Sequence, residues 1–191
     1  MVARVHVVCR ANQARSPVFA ALLREQAALR EVDARVSSSG LEAVPDRILL
    51  PAMSGAWLRA GHPPLDHRSR VYDPVKVKTA ELTLVFEAAQ RARLVNDLPA
   101  MVDRVFTVRE ATRLVSSPRW EPDWSGSSFV ITRLHRMRGY VEPGDDDTPD
   151  PARMRRSACR RLLTELEGSA ELLGAALFGP AQTSLSVGGA P

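Results

Sequence analysis

Cysteine, lysine, aromatic residues and long apolar runs are all scarce in this sequence, and each scarcity removes a class of protein. Cys9 and Cys159 are the only cysteines, too few for a disulfide-stapled scaffold or a cysteine-rich zinc site. Aromatic residues make up 5% of the chain, which does not suit a nucleic-acid surface that interleaves arginines with stacking rings. No apolar run approaches the roughly 18–20 residues needed to span a bilayer. The opening MVARVHVVCR puts charge inside a very short apolar run, unlike the layout of a secretory signal. The expectation is a cytoplasmic protein without a membrane partner.

What remains is 191 residues with 45% apolar and 25% charged side chains. That is ordinary globular usage, and it disfavours a disordered chain, a collagen-like repeat or a coiled coil. The length fits one compact domain with enough chain to bury a core. Residues 1–178 are expected to form it, with 179–191, which lack periodicity, as a flexible tail. The net charge of +4 comes almost wholly from arginine, since Lys76 and Lys78 are the only lysines. The arginines are scattered, and the densest groups, Arg133, Arg136 and Arg138, then Arg153, Arg155, Arg156, Arg160 and Arg161, read as solvated helix faces. No nucleic-acid partner is expected.

Hydrophobic patterning gives the fold class. Val2 to Val8 is a valine-rich run suited to a buried strand, and Pro17 to Leu29 repeats apolar residues at helical spacing. Further strands are expected at Asp33 to Ser38, Leu82 to Phe86 and Arg104 to Thr107, with a weaker one at Ser69 to Tyr72. Helices are expected at Asp46 to Leu58, Glu87 to Val95, Arg109 to Val115 and Phe129 to Met137. A long C-terminal helix over Ala152 to Leu177 has a possible break at Gly168. Ser116 to Ser128, which holds Trp120 and Trp124, reads as an ordered surface loop, and Gly139 to Pro151 as an acidic, proline-rich one. Alternation of strands and helices predicts an α/β fold: a small doubly wound sheet of about four parallel strands with helices on both faces.

The stretch with chemical content is Cys9-Arg10-Ala11-Asn12-Gln13-Ala14-Arg15-Ser16-Pro17, set between a buried strand and the first turn of a helix. Ser16 suits a helix N-cap and Pro17 a first helical residue, so the loop's free amides and the helix dipole would converge on one concavity able to hold a tetrahedral oxyanion. A thiol in that cup, beside a guanidinium, is in surroundings that favour the thiolate. Arg15 offers a planar fork for two phosphoryl oxygens, the Ser16 hydroxyl can donate to the sulfur, and Asn12 tolerates a left-handed backbone. Of the histidines, His6 reads as a packed core residue, and His62 and His135 as surface positions. No pair stands at metal-ligand spacing, so no metal or other cofactor is expected.

These residues resemble the low-molecular-weight protein tyrosine phosphatase family, whose N-terminal loop reads C-x-G-N-x-C-R-S-P. Cys9, Asn12, Arg15, Ser16 and Pro17 match in place, and the likeness continues through Ser39-Gly40, His67-Arg68-Ser69-Arg70, Ala80 to Arg91 and Asp150-Pro151. The resemblance implies a cysteinyl-phosphate intermediate with Cys9 as nucleophile, Arg15 as phosphate clamp and Asp150 as general acid. The loop residues Arg10, Ala11, Asn12, Gln13, Ala14 and Ser16 would bind the phosphoryl group, and Ser39 and His67 would orient Asn12 from behind. The implied substrate is a phosphorylated protein, phosphotyrosine in particular, or a small aryl phosphate, and the protein would be a monomer or weak homodimer. A second Asp-Pro, Asp73-Pro74, reads as a helix cap. The triplet Asp145, Asp146 and Asp147 would either repel the charge on Asp150 or stand in solvent.

Three positions depart from the family pattern. Ala11 stands where glycine is usual, Ala14 replaces a second loop cysteine, and Ala152 follows Asp150-Pro151 where a ring is usual. These losses motivate an alternative from another class, a phosphate-binding pseudophosphatase acting as a regulatory module. Arsenate reductases of the same fold share Ala-Arg-Ser in the loop, but their relay of three thiols has no counterpart in a chain with two cysteines.

Overall fold

A computed structural model describes residues 2–121, 123 and 126–180. Four strands, β1 (Arg4–Cys9), β2 (Arg35–Gly40), β3 (Leu82–Val85) and β4 (Val105–Thr107), form one parallel sheet in the order β2-β1-β3-β4. The register runs through Val5↔Val36, Val5↔Leu82 and Leu84↔Phe106. Strands β1, β3 and β4 are short and buried at every residue but Arg4, because both faces are covered, and most of their side chains are apolar. The expected doubly wound α/β sheet is present. Ser69 to Tyr72 contributes only a single bridge, Gly40↔Val71.

Seven helices complete the described chain: α1 (Arg15–Ala28), α2 (Pro51–Arg59), α3 (Pro74–Thr79), α4 (Ala88–Asp97), α5 (Val108–Val115), α6 (Ser127–Met137) and α7 (Arg156–Phe178). The larger apolar cluster takes Phe19 and Leu23 of α1, Met53 and Trp57 of α2, Leu114 of α5, Leu134 of α6 and Leu163, Leu166 and Leu173 of α7. The smaller cluster joins Val8, Val85 and Val105 of the sheet to Val77 of α3 and Leu94 of α4. No described helix is long and apolar enough to cross a membrane.

Several boundaries differ from the sequence reading. Helix α2 begins at Pro51, after an extended segment, and α7 begins at Arg156 and runs unbroken through Gly168, where an added Cβ would meet nothing within 4 Å. Helix α3 is an addition, and Asp73 is its N-cap, accepting from the Val75 amide at 2.8 Å. His62 is not a surface residue: it stacks on Trp57 and reaches Glu167 at 2.9 Å. Trp120 packs partly buried against the core, whereas Trp124 and residues 181–191 of the expected tail lie outside the described residues.

The connection from β1 to α1 lies at the carboxyl edge of the sheet, beside the β1/β3 junction where the chain's winding reverses. In open α/β sheets this is where ligands bind.

Candidate active site

The loop after β1 closes on itself around the Cys9 sulfur. Helix α1 starts at Arg15, two residues earlier than the sequence suggested, and Ala14 at its N-cap makes no side-chain capping bond. Ser16 is therefore not the cap. An uncapped first turn leaves backbone amides free at the cup, and Pro17, the third helical residue, has no amide to strand there.

Asn12 holds the loop's shape. Its backbone is left-handed, φ 52°, a conformation asparagine tolerates better than most residues. Its side-chain amide donates to Ser16 Oγ (2.9 Å) and Ser38 Oγ (3.0 Å), its Oδ1 accepts from the Arg70 amide (2.8 Å), and its carbonyl accepts from His67 Nε2 (2.7 Å). Burial pushes the His67 pKa down, in keeping with a neutral ring that donates through Nε2. The serine that touches Asn12 is Ser38; Ser39, the expected partner, points its hydroxyl to His6 Nε2 and offers its carbonyl to Ser16. Ala11 is not among the residues at positive φ, so its Cβ sits on ordinary backbone. The glycine the loop requires is Gly40 of β2, where a Cβ would lie 2.7 Å from both the Arg10 carbonyl oxygen and the Asn12 nitrogen.

Within this frame Cys9 is buried, 3% exposed, with its sulfur 3.3 Å from the Asn12 amide and 3.0 Å from Ser16 Oγ. With Asn12 donating to Ser16 Oγ, the single hydroxyl proton has two acceptors within reach, the Cys9 sulfur at 3.0 Å and the Ser39 carbonyl at 3.3 Å, and an anionic sulfur is the stronger of the two. Over the sulfur lies a cavity of about 40 Å³ that reaches Gln13, Arg15, Leu50, Asp150 and Ala152. Gln13 fixes one wall by accepting from the Leu50 amide through its carbonyl at 2.7 Å.

Arg15 is 2% exposed. Its NH1 donates to Glu87 Oε1 (2.6 Å) and to the Thr148 carbonyl (2.7 Å), and the guanidinium lies 5.6 Å from the centre of the Phe86 ring. Glu87 is held in turn by Gln90. Glu87 and Thr148 are site residues that motif reading missed. Glu87 had a positional signal, being just past the carboxyl end of a central strand, but Thr148 acts through a backbone carbonyl and leaves no trace in the sequence.

Asp150 completes the site. Its Oδ1 accepts from the Ala152 amide at the start of a short 3₁₀ turn, Pro151–Arg153, while Oδ2 faces Arg10 NH2 at 2.9 Å and Arg15 NH2 at 3.4 Å. One carboxylate thus both caps a turn and faces the cup. The preceding aspartates do not crowd it freely: Asp145 and Asp146 pair with Arg109 and Arg113, and Asp147 accepts from the Ala88 amide at the head of α4.

A doubly wound parallel sheet with a cysteine buried in the loop at its carboxyl edge defines the class, an α/β protein with its candidate site at the sheet's switch point. The particular family follows from sequence: the model of the low molecular weight phosphotyrosine protein phosphatase family matches residues 4–121, and the chain belongs to that family. It is accordingly a phosphatase of the hydrolase class. The matched span stops short of Asp150. No curated protein matches the sequence.

Among solved structures, a YwlE mutant from Bacillus subtilis superposes with a TM-score of 0.68 at 22% identity, covering 90% of this chain and 96% of that one. The YwlE arginine phosphatase from Geobacillus stearothermophilus gives 0.66 at 22%, covering 90% of each chain. The tyrosine phosphatase Wzb from Escherichia coli K30, in complex with sulphate, gives 0.67 at 18%, covering 91% and 97%. At such identities the likeness is one of fold.

Proposed function

We propose that this phosphatase hydrolyses phosphomonoesters, phosphotyrosine in proteins or small aryl phosphates, through a phosphocysteine at Cys9. The observation that carries the reading is the convergence of the Cys9 sulfur, the Arg15 guanidinium and the Asp150 carboxyl on one small cavity. The phosphoryl group sits in the amides of residues 10–15. With NH1 of Arg15 tied to Glu87 and Thr148, its Nε–NH2 edge grips two equatorial oxygens and matches their charge in the transition state.

The sulfur attacks phosphorus in line, the P–O bond to the leaving group breaks, and Asp150 gives its proton to the departing oxygen. Asp150 then takes a proton from water as that oxygen bonds to phosphorus and the S–P bond breaks, with the Asn12 amide and the Ser16 hydroxyl receiving charge back on sulfur. A nucleophile that works only as the reduced thiol suits a reducing cytoplasm.

A second substrate has an observation of its own. Among the described residues no aromatic side chain lines the cavity, and the adjoining space is bounded by Glu87, Asp145, Asp147 and Asp150, with Arg10 beside them. A phosphorylated guanidino group would bring hydrogen-bond donors to those carboxylates, and a solved relative is described as an arginine phosphatase.

The test is turnover of an aryl phosphate, a phosphotyrosine peptide and a phosphoarginine peptide near neutral pH by wild type, Cys9→Ser and Asp150→Ala. Cys9→Ser is expected to abolish turnover. Asp150→Ala is expected to slow it about 10²- to 10⁴-fold for leaving groups of high pKa. Full activity in Cys9→Ser removes the proposed nucleophile, and vanadate binding without turnover of any substrate favours the pseudophosphatase reading.

A further inference from the structure

The residue after the nucleophile contributes backbone to the cup, but its side chain turns elsewhere. Arg10 NH2 lies 2.9 Å from Asp150 Oδ2, closer than Arg15 NH2 at 3.4 Å. Arg10 borders both the cavity over Cys9 and the larger space beside it, and Asp150 does the same. We propose that Arg10 is the positioning residue for Asp150, a direct tie between the phosphate-binding loop and the loop that carries the proton donor. The proposal deepens the reading above and rests on Asp150 acting as the general acid.

A phosphoryl group arriving in the cup redistributes these contacts. Arg15 is buried and committed through NH1 to Glu87 and Thr148, so the phosphoryl oxygens must take the edge that faces Asp150. The longer of the two contacts to Oδ2 is then given up, and Arg10 remains as the cation on that oxygen while Oδ1 stays with the Ala152 amide. A carboxyl held at both oxygens keeps one orientation over the leaving group. The Arg10 side chain is 51% exposed, so the pair adds little to stability. Orientation is a different matter, because a displacement on the order of 1 Å at a reacting group costs up to about 10²-fold in rate. Since Arg10 immediately follows Cys9, any movement of the loop that carries the nucleophile also moves the anchor of the acid.

The experiment compares Arg10→Ala, Arg10→Lys, Asp150→Ala and the double variant Arg10→Ala/Asp150→Ala in the full chain, on two aryl phosphates whose phenols differ widely in pKa. Inhibition by vanadate is measured alongside. Arg10→Ala is expected to lower kcat about tenfold on the ester with the high-pKa phenol and little on the other, with KM and vanadate affinity within about threefold of wild type. Arg10→Lys should recover part of the loss, and Arg10→Ala should add nothing once Asp150 is alanine. An equal fall on both esters, a rise in KM with kcat intact, or an undiminished effect in the Asp150→Ala background overturns the positioning role alone. Should Asp150→Ala itself leave the dependence on the leaving group unchanged, the general-acid assignment falls and this role falls with it.

Discussion

At the scale of single residues, the cup depends on an absence of side chain at Gly40 as much as on the cysteine it encloses. A methyl group there would lie 2.7 Å from the Arg10 carbonyl oxygen and the Asn12 nitrogen and 2.8 Å from the Ala11 carbonyl carbon, all backbone atoms that cannot swing aside. Gly40→Ala should therefore push the loop away from β2, weakening vanadate binding at least tenfold and destabilising the fold by about 1–3 kcal/mol. Vanadate titration and urea unfolding measure the two effects; unchanged affinity would mean the loop is free to shift. The same stretch shows where sequence stops being informative. Asp150 is separable from Asp73 only through the family resemblance, whereas Cys9, Asn12 and Arg15 could be picked out by type and neighbourhood. Which member of Ser37-Ser38-Ser39 meets Asn12 could not, because side chains alternate along a strand and a slip of one residue exchanges its faces. The pleat turns Ser37 and Ser39 to His6 and leaves Ser38 for Asn12.

Helices and strands divide differently between what patterning shows and what it hides. Apolar spacing reports which face of a helix is buried, not where its first turn closes. Hence α2 and α7 begin five and four residues after their expected starts, at Pro51 and Arg156, while α1 begins earlier without a capping side chain. The β1–β2 pairing carries a feature that composition does not reveal. His6 of β1 bridges Ser37 and Ser39 of β2, 2.8 Å to each hydroxyl, and burial with a contribution from Lys76 lowers its pKa to about 4, with Asp73 opposing. Because the folded value lies below the ordinary 6.5, the unfolded chain binds the extra proton between those two pH values. Stability from this residue is complete above pH 6.5 and is lost as pH falls toward 4, by at most on the order of 3 kcal/mol. Urea unfolding at pH 7 and pH 5 should show this loss in wild type, and His6→Gln, though less stable at pH 7, should lose less between the two. Equal losses would mean other groups set the acid sensitivity.

Across the whole molecule, the preference for arginine over lysine takes on a structural meaning that charge counting alone does not supply. Most of the described arginines are exposed, but a few half-buried ones join elements that the sheet leaves apart. Arg138, at the end of α6, reaches Glu110 of α5, the Val105 carbonyl and the face of the Phe106 ring, 3.9 Å from its centre. Arg109 of α5 ties Glu165 of α7 to the Asp147 carbonyl, and Arg113 donates to the Glu142 carbonyl (2.6 Å) and to both oxygens of Asp146 (2.8 and 2.9 Å). The acidic loop leading to Asp150 is thus anchored on α5 and α7 before any substrate binds, and a guanidinium's fork makes both anchors at once where an ammonium offers one point of charge. Arg113→Lys should keep the pairing with Asp146 and lose the Glu142 carbonyl. Amide exchange across residues 142–148 should then quicken, and kcat on an ester with a poor leaving group should fall several-fold, while the thermal midpoint moves by only a few degrees because the anchor is partly exposed. Exchange that stays at the wild-type rate would show that the Arg109 contacts and the Ala88 amide suffice to hold the loop, and the two-pronged anchor at Arg113 would then have no bearing on where Asp150, the proposed proton donor, sits.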